Sequence, residues 1–296
     1  MSINSTIVRS LNGVYPIPME KKWEFGKQNS KWFGFVTVQR FLKTDKQSPS
    51  RKELEVLDKA NKYWLQVKEH KIQYYVWNDS VDANEMILLI HGWNGQTGNF
   101  SRIIPSLIER GVRVVGLDLP GHGVSSGRYS NIVLSANIVK ALTDQIGNPN
   151  VIISHSFGGA VASVAQELGV KTNKLIYIAP PSKLELLIRD FSRHLELSEE
   201  DILSMRTVLE KKVKRSMASI DLETIGSKLD NELLVIHDRG DFEIPYEMGE
   251  VVSKAWKRGT LFSTEGLGHK MILRSDLVRD EILRFLTSKD DANERQ

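Results

Sequence analysis

From Ile72 onward, short apolar runs alternate with stretches whose apolar residues recur at helical spacing, the pattern of βα units that feed a mostly parallel sheet. Strands are predicted over residues 72–77, 86–90, 112–117, 151–154, 175–178, 233–236 and 260–263. Several of these runs are apolar on both faces, as in Ile87-Leu88-Leu89-Ile90, which is expected of strands covered by helices on each side. The fold class that follows is α/β, a mostly parallel central sheet with helices on both faces.

Between the strands predicted at 175–178 and 233–236 lies a segment with helical periodicity and no strand pattern, too long for an ordinary connection. It is read as a helical cap. Ser198, followed three residues on by Asp201, starts one cap helix, and Leu203, Val208, Leu209 and Val213 supply its apolar stripe. Lys211, Lys212, Lys214 and Arg215 read as a solvated helix face, with contact to an anionic substrate or surface as the alternative.

Ahead of Ile72, Trp23, Phe25, Trp32, Phe33 and Phe35 are interleaved with lysines and followed by a polar stretch over 43–51. These aromatics are expected to pack against the main domain or to extend its sheet through 35–38; a membrane-contacting or dimerising arm is the other reading. Residues 51–64 read as a helix with Leu54, Leu57 and Ala60 on one face. The expected division is therefore 1–64 as N-terminal extension and helix, 65–180 and 232–288 as core, 181–231 as helical cap insertion, and 289–296 as a flexible tail.

Composition narrows the partners. A chain of 296 residues can hide about three-quarters of its unfolded surface, enough for a large buried sheet without staples. Its 40 Lys+Arg against 37 Asp+Glu leave a formal charge of only +3, no footprint for nucleic acid. The absence of cysteine excludes disulfides, thiolate metal ligands and a cysteine nucleophile. Charged residues and prolines interrupt every apolar run in the first 25 residues, and no stretch reaches bilayer length, so a soluble cytoplasmic protein is expected; a homodimer is left open.

The chemistry concentrates after the strands. Val151-Ile152-Ile153-Ser154-His155-Ser156-Phe157-Gly158-Gly159-Ala160 runs from an apolar strand through a serine into a helix rich in small residues, the form of a nucleophile elbow. Gly158 allows close approach of helix and strand, while Ser154 stands where the first glycine of G-x-S-x-G would be. The plain alternative is that Ser156 only caps the helix beginning at Phe157. Upstream, Ile90-His91-Gly92-Trp93 follows another apolar strand, and the backbone amides of Trp93 and Phe157 are expected to form an oxyanion hole; a mere strand-ending turn is the alternative. The loop from Asp118 through Pro120-Gly121-His122-Gly123 to Gly127 is read as structural, shaping the pocket floor. Asp118 and His122 lack a further ligand at a recognised metal spacing, so no metal is expected.

Two aspartates and one glutamate, Glu243, compete for the acid in His237-Asp238-Arg239-Gly240-Asp241-Phe242-Glu243-Ile244-Pro245. Asp241 is preferred because Gly240 supplies a turn that points it back over the sheet, whereas Asp238 is expected to pair with Arg239 or cap the turn; after the strand at 175–178 there is no carboxylate. Glu265-Gly266-Leu267-Gly268-His269-Lys270 then carries one histidine, with a helix predicted over 272–286. A neutral imidazole at His269 would take the serine proton, held in its tautomer by the carboxylate.

Together these motifs resemble the α/β-hydrolase superfamily over residues 72–286, in the chain order Ser156, Asp241, His269. The resemblance implies an esterase- or lipase-like serine hydrolase with a cap over its pocket, Ser156, Asp241 and His269 as catalytic residues, Trp93 and Phe157 as oxyanion donors, no cofactor, and a small-molecule acyl substrate. The Pro120-Gly121-His122-Gly123 block is similar to that of lipase, esterase and monoacylglycerol-lipase relatives. Dehalogenases and epoxide hydrolases of this scaffold place an aspartate where Ser156 stands. Ester hydrolysis through an acyl-serine is the leading expectation; thioester or carbon–carbon bond cleavage, or a low-turnover ligand sensor, are alternatives on the same apparatus.

Overall fold

The computed structural model describes residues 30–79 and 85–288; Trp23, Phe25 and the 289–296 tail lie outside these, as does the side chain of Trp32. The described chain opens with α1 (Ser30–Leu42) and α2 (Arg51–Leu57), then β1 (Asn61–Val67) and β2 (His70–Trp77). Next come β3 (Met86–Ile90), α3 (Ile104–Glu109), β4 (Arg113–Leu117), α4 (Ile132–Ile146), β5 (Val151–His155), α5 (Phe157–Glu167) and β6 (Lys174–Ile178). Helices α6 (Leu184–His194), α7 (Glu199–Val213) and α8 (Leu222–Gly226) precede β7 (Glu232–Asp238). The chain closes with α9 (Tyr246–Ala255), β8 (Arg258–Thr264), α10 (Gly268–Met271) and α11 (Asp276–Thr287).

All strands join one eight-stranded sheet in the order β1-β2-β4-β3-β5-β6-β7-β8. β1–β2 and β2–β4 are antiparallel, and every pairing from β4 through β8 is parallel. Strand alternation divides the core in two. Leu88, Ile152, Leu175 and Val235 face one side with α4, α5 and α7, while Ile87, Ile153, Ile176 and Ile236 face the other with α3 and α11. Each parallel strand is thus buried on both faces, as its unbroken apolar sequence requires. The loops leaving the C-terminal ends of β3, β5, β7 and β8 emerge along one edge of the sheet, where open α/β sheets present ligand sites.

The helix read over 51–64 stops at Leu57, and Asn61–Val67 forms the edge strand β1, in register from Asn61↔Val76 to Val67↔His70. A capping box between Ser50 and Glu53 starts the short helix, but only Leu57 of its expected apolar face is buried; Leu54 is 44% exposed. Tyr63 stacks on Tyr74 across the β1–β2 pair with ring centroids 5.3 Å apart, a cross-strand contact that favours the hairpin. The sheet therefore begins four residues ahead of the expected core boundary at 65.

Residues 35–38 do not extend the sheet. They lie in α1, which packs against α7: Val38 and Leu42 share a core cluster with Ile202, Met205 and Leu209, and Gly34 lies so close to Ser204 that a Cβ there would overlap its hydroxyl. The capping box predicted at Ser198 and Asp201 starts α7. Its buried stripe is Ile202, Met205, Leu209 and Val213, whereas Leu203 is 60% exposed; the true stripe keeps the i, i+3, i+4 rhythm from Ile202 rather than from Leu203.

Candidate active site

Ser156 sits at the sharp turn from β5 into α5, with φ +50° and ψ −118°, a backbone state that costs a non-glycine residue about 1–3 kcal/mol. The turn is held by its amide, which donates to the Ile178 carbonyl at 2.8 Å, and by its carbonyl, which accepts from Gly159 N–H at 2.9 Å. A helix-capping serine has an extended backbone and accepts a helix N–H with its side chain; Ser156 does neither, so capping is not its role. Its hydroxyl is without a hydrogen-bond partner among the described residues. Gly158 packs so tightly against β3 that a Cβ would overlap the Ile90 carbonyl oxygen. Ser154, in place of the motif's first glycine, is fully buried with an unpartnered hydroxyl.

β7 and β8 are neighbours, and their following loops bring Asp241 and His269 together. His269 Nδ1 lies 2.7 Å from Asp241 Oδ2. The other oxygen, Oδ1, accepts from Glu243 N–H and Ile244 N–H, both at 2.9 Å. Burial alone would push the Asp241 carboxyl up. Hydrogen bonds from His237 and His269, the charge of His269 and the Ile244 amide outweigh it and hold the group well below the usual carboxylate range. A charged Asp241 fixes the His269 proton on Nδ1 and leaves Nε2 free to accept one. His269 stands in the short helix α10, just after Gly266 and Gly268, both at positive φ, and not in an open loop.

Asp238 is fully buried and accepts from Gly240 N–H at 2.9 Å, Leu267 N–H at 3.0 Å and Thr264 Oγ1 at 2.7 Å. It caps the turn, as one reading expected, and also ties the segment before His269. The alternative pairing with Arg239 is not made: Arg239 lies over the Tyr246 ring at 4.6 Å.

Two histidines escaped the sequence reading. His155, one residue before Ser156, donates from Nε2 to the His269 carbonyl at 2.9 Å, with the two rings 4.7 Å apart. Burial, reinforced by His269 itself, depresses the His155 imidazole to about 3, so it stays neutral. His237 donates from Nε2 to the Ile244 carbonyl at 3.0 Å and lies 3.4 Å from Asp241 Oδ2. Neither has a signal of its own in the sequence: His155 acts on a residue 114 positions away, and His237 acts across the turn that follows β7.

Gly92 opens a turn closed by Gly95 N–H to Gly92 carbonyl at 3.0 Å, with Asn94 left-handed at φ +55°. A Cβ on Gly92 would lie 2.7 Å from His155 Nδ1 and 3.3 Å from Ser156 Cβ, so only glycine lets this loop approach the elbow. Neither the Trp93 nor the Phe157 backbone N–H has an acceptor among the described residues. Two free amides flank the serine, with the Trp93 and Phe157 rings packed edge to face at 5.0 Å. His91 accepts from Leu119 N–H through Nε2 at 3.0 Å and contacts the Gly92 carbonyl through Nδ1, which bridges this turn to the Pro120 loop. In that loop Asp118 accepts from Thr97 N–H at 3.0 Å and Val124 N–H at 3.1 Å, a structural role matching the sequence reading.

Ser156, Phe157, Trp93, His155 and His269 line one cavity of about 800 Å³, a size suited to a drug-sized or larger ligand. Asp241 lies behind His269 and does not line it. Helices α6 and α7 roof the cavity with apolar side chains, and residues 40–48, from the last turn of α1 into the link to α2, form a further wall, a contribution the sequence did not reveal. Among the described residues no group of histidines and carboxylates is arranged to hold a metal ion.

The sequence pattern described as "Alpha/beta hydrolase family" matches residues 87–223. Together with the eight-stranded, mostly parallel sheet, this match supports an α/β-hydrolase superfamily fold. Among solved structures, the chain is similar to a bacterial membrane phospholipase A, at 22% identity and a TM-score of 0.60, covering 78% of this chain and 86% of that one. It is similar also to an esterase from Exiguobacterium antarcticum, at 18% identity and TM-score 0.60, covering 76% of this chain and 99% of the other. These likenesses speak for the fold. In sequence it is 41% identical over 96 residues to a 2-hydroxy-6-oxononadienedioate/2-hydroxy-6-oxononatrienedioate hydrolase of Klebsiella pneumoniae subsp. pneumoniae, 30% of this chain. That match spans about a third, 33%, of the relative's length. Among the described residues no helix is long and apolar enough to cross a membrane.

Proposed function

We propose that this protein is a serine hydrolase that cleaves a carboxylic ester through an acyl-Ser156 intermediate, with His269 as general base and Asp241 as the carboxylate that orients it. The observation that carries the reading is the free Ser156 hydroxyl at a strained turn, sharing one cavity with a His269 imidazole that is paired through Nδ1 to Asp241 at 2.7 Å. His269 Nε2 takes the Ser156 proton as Oγ attacks the carbonyl carbon. The carbonyl oxygen gains negative charge and receives hydrogen bonds from the Trp93 and Phe157 amides, each donor typically worth about 3 kcal/mol. Collapse of this intermediate breaks the bond to the leaving oxygen, which takes the proton from His269. Water then repeats the sequence on the acyl-enzyme and regenerates Ser156.

The segment 181–231, whose helices α6 and α7 roof the cavity, serves in this reading as the cap over the substrate. The 41% identity to a carbon–carbon bond hydrolase favours a second reading, in which the same apparatus cleaves a carbon–carbon bond adjacent to a ketone. Alkyl fluorophosphonate labelling followed by peptide mass spectrometry tests the shared core: the wild type should be modified at Ser156, and Ser156→Ala should not react. A parallel panel of aryl esters and a 2-hydroxy-6-oxo-dienedioate substrate separates the two chemistries. Turnover of the dienoate alone would replace the ester reading, labelling without turnover of any substrate would point to a sensor, and failure to label would overturn the proposal.

A further inference from the structure

The segment that leads from α1 to α2 lies outside the residues 87–223 that match the family, yet it is fastened to the core around the cavity. Thr44 Oγ1 donates to the Gly121 carbonyl at 2.8 Å, and Thr44 N–H donates to the Arg128 carbonyl at 3.0 Å. Asp45 N–H donates to Asn94 Oδ1 at 2.8 Å, on the turn that carries the Trp93 amide, and Lys46 reaches the Ser125 carbonyl. Where the helix that follows begins, Glu53 accepts from Asn99 Nδ2 at 3.0 Å. With hydrogen bonds to several core loops, the segment is a fixed wall.

The two ends of this wall differ in chemistry. Gln47, Ser48 and Glu53 line the cavity, as do Asn94, Gln96 and Asn99, and the Glu53–Asn99 and Asp45–Asn94 hydrogen bonds join the two sets into a polar side. Phe41 instead faces the cap, its ring edge-on to Phe191 of α6 with centroids 5.1 Å apart and planes at 69°. Leu184, Leu187, Leu209 and Met217 line the cavity with this pair. Phe41 and Phe191 thus close the seam between the N-terminal segment and the cap on the apolar side. Both rings are only partly buried by the core behind them and keep surface toward the cavity.

We propose that the substrate carries an aliphatic acyl chain that lies against the Phe41–Phe191 pair, and that Phe41 sets the longest chain Ser156 accepts, with a polar alcohol portion on the Gln47 side. This rests on the acyl-serine reading above. Phe41 acts as a specificity-determining residue. Removal of its ring opens room for several methylenes, and each methylene that gains burial is worth about fourfold in relative rate.

The test measures second-order labelling rates of the full chain with alkyl fluorophosphonates of graded length, alongside kcat/KM for p-nitrophenyl esters from acetate to palmitate. The readout is the ratio of long-chain to short-chain rates. Phe41→Ala should raise that ratio by about tenfold or more and move the optimum to longer chains, and Phe41→Trp should move it to shorter ones. Should Phe41→Ala fail to fold, Phe41→Leu and Phe191→Leu report the same ratio. Normal wild-type labelling with a chain-length profile unmoved in these variants, or with all rates scaled in parallel, overturns the assignment of Phe41 and leaves the serine reading standing. Absence of wild-type labelling overturns the serine reading and this inference with it. Labelling that follows chain length without ester turnover supports the compartment and overturns the ester chemistry.

Discussion

Replacing Asp241 by asparagine isolates the orientation of His269 from everything else in the site, because the backbone dictates how the new amide must sit. Oδ1 accepts from the Glu243 and Ile244 N–H groups, both at 2.9 Å, so the asparagine oxygen is held on that side. Its NH₂ then faces His269 Nδ1, 2.7 Å away in the native pair. An NH₂ group can only donate there, which forces the His269 proton onto Nε2 and leaves no lone pair to accept from Ser156. The wrong tautomer typically lowers kcat by about 10⁴, equivalent to about 5.4 kcal/mol in the barrier. Steady-state hydrolysis of the best aryl ester, together with the fluorophosphonate labelling rate, measures the effect; both should fall while circular dichroism stays native. If Asp241→Asn retains activity within tenfold of wild type, the carboxylate does not set the tautomer, and the assignment of the acid is wrong.

Gly92→Ala puts a Cβ 2.7 Å from His155 Nδ1 and displaces the turn that carries the Trp93 amide; kcat should fall by about 10²–10³, the effect of losing one oxyanion donor, with little change in thermal midpoint. Asp238→Asn leaves one of the Gly240, Leu267 or Thr264 donors without an acceptor, so urea denaturation should show a loss of about 1–3 kcal/mol, while turnover stays far above that of Asp241→Asn. Burial lowers His91 to about 4, and burial with neighbouring charge lowers His122 and His155 to about 3, whereas unfolded histidines titrate near about 6.5. Below that value the unfolded chain binds more protons than the native one. The stability these neutral imidazoles supply is therefore complete above pH ~6.5 and lost as the pH falls toward 4, by up to about 1.4 kcal/mol per pH unit for each. Urea midpoints at pH 7.5, 6 and 5 should decline in that order, and a flat profile would refute the assignment.

The parallel strands were legible because residues buried on both faces leave unbroken apolar runs such as Ile87 to Ile90 and Ile152-Ile153, which no surface element tolerates. β1 was not, since its residues at 61–64 are exposed and carry no alternation; the strand exists through its pairing with β2. Ser156 and Gly158 were readable from local spacing, and the backbone at Ser156 removed the capping alternative that spacing left open. The N-terminal wall was hidden for a different reason. Residues 43–50 form no regular element beyond one bridge from Lys43 to Tyr129, and their place is fixed by single hydrogen bonds to loops far along the chain.

Sequence by itself determined the α/β alternation, the serine at a strand-to-helix turn and the order of the residues that follow it, because hydrophobic periodicity and turn chemistry act over a few neighbouring positions. Tertiary structure alone decided that His155 braces the His269 backbone, that residues 40–48 wall the cavity, and that Phe41 reaches Phe191. Each of those contacts joins segments brought together by sheet order and by helices packed across it, and such distances are set by the whole packed core and by no local run of residues.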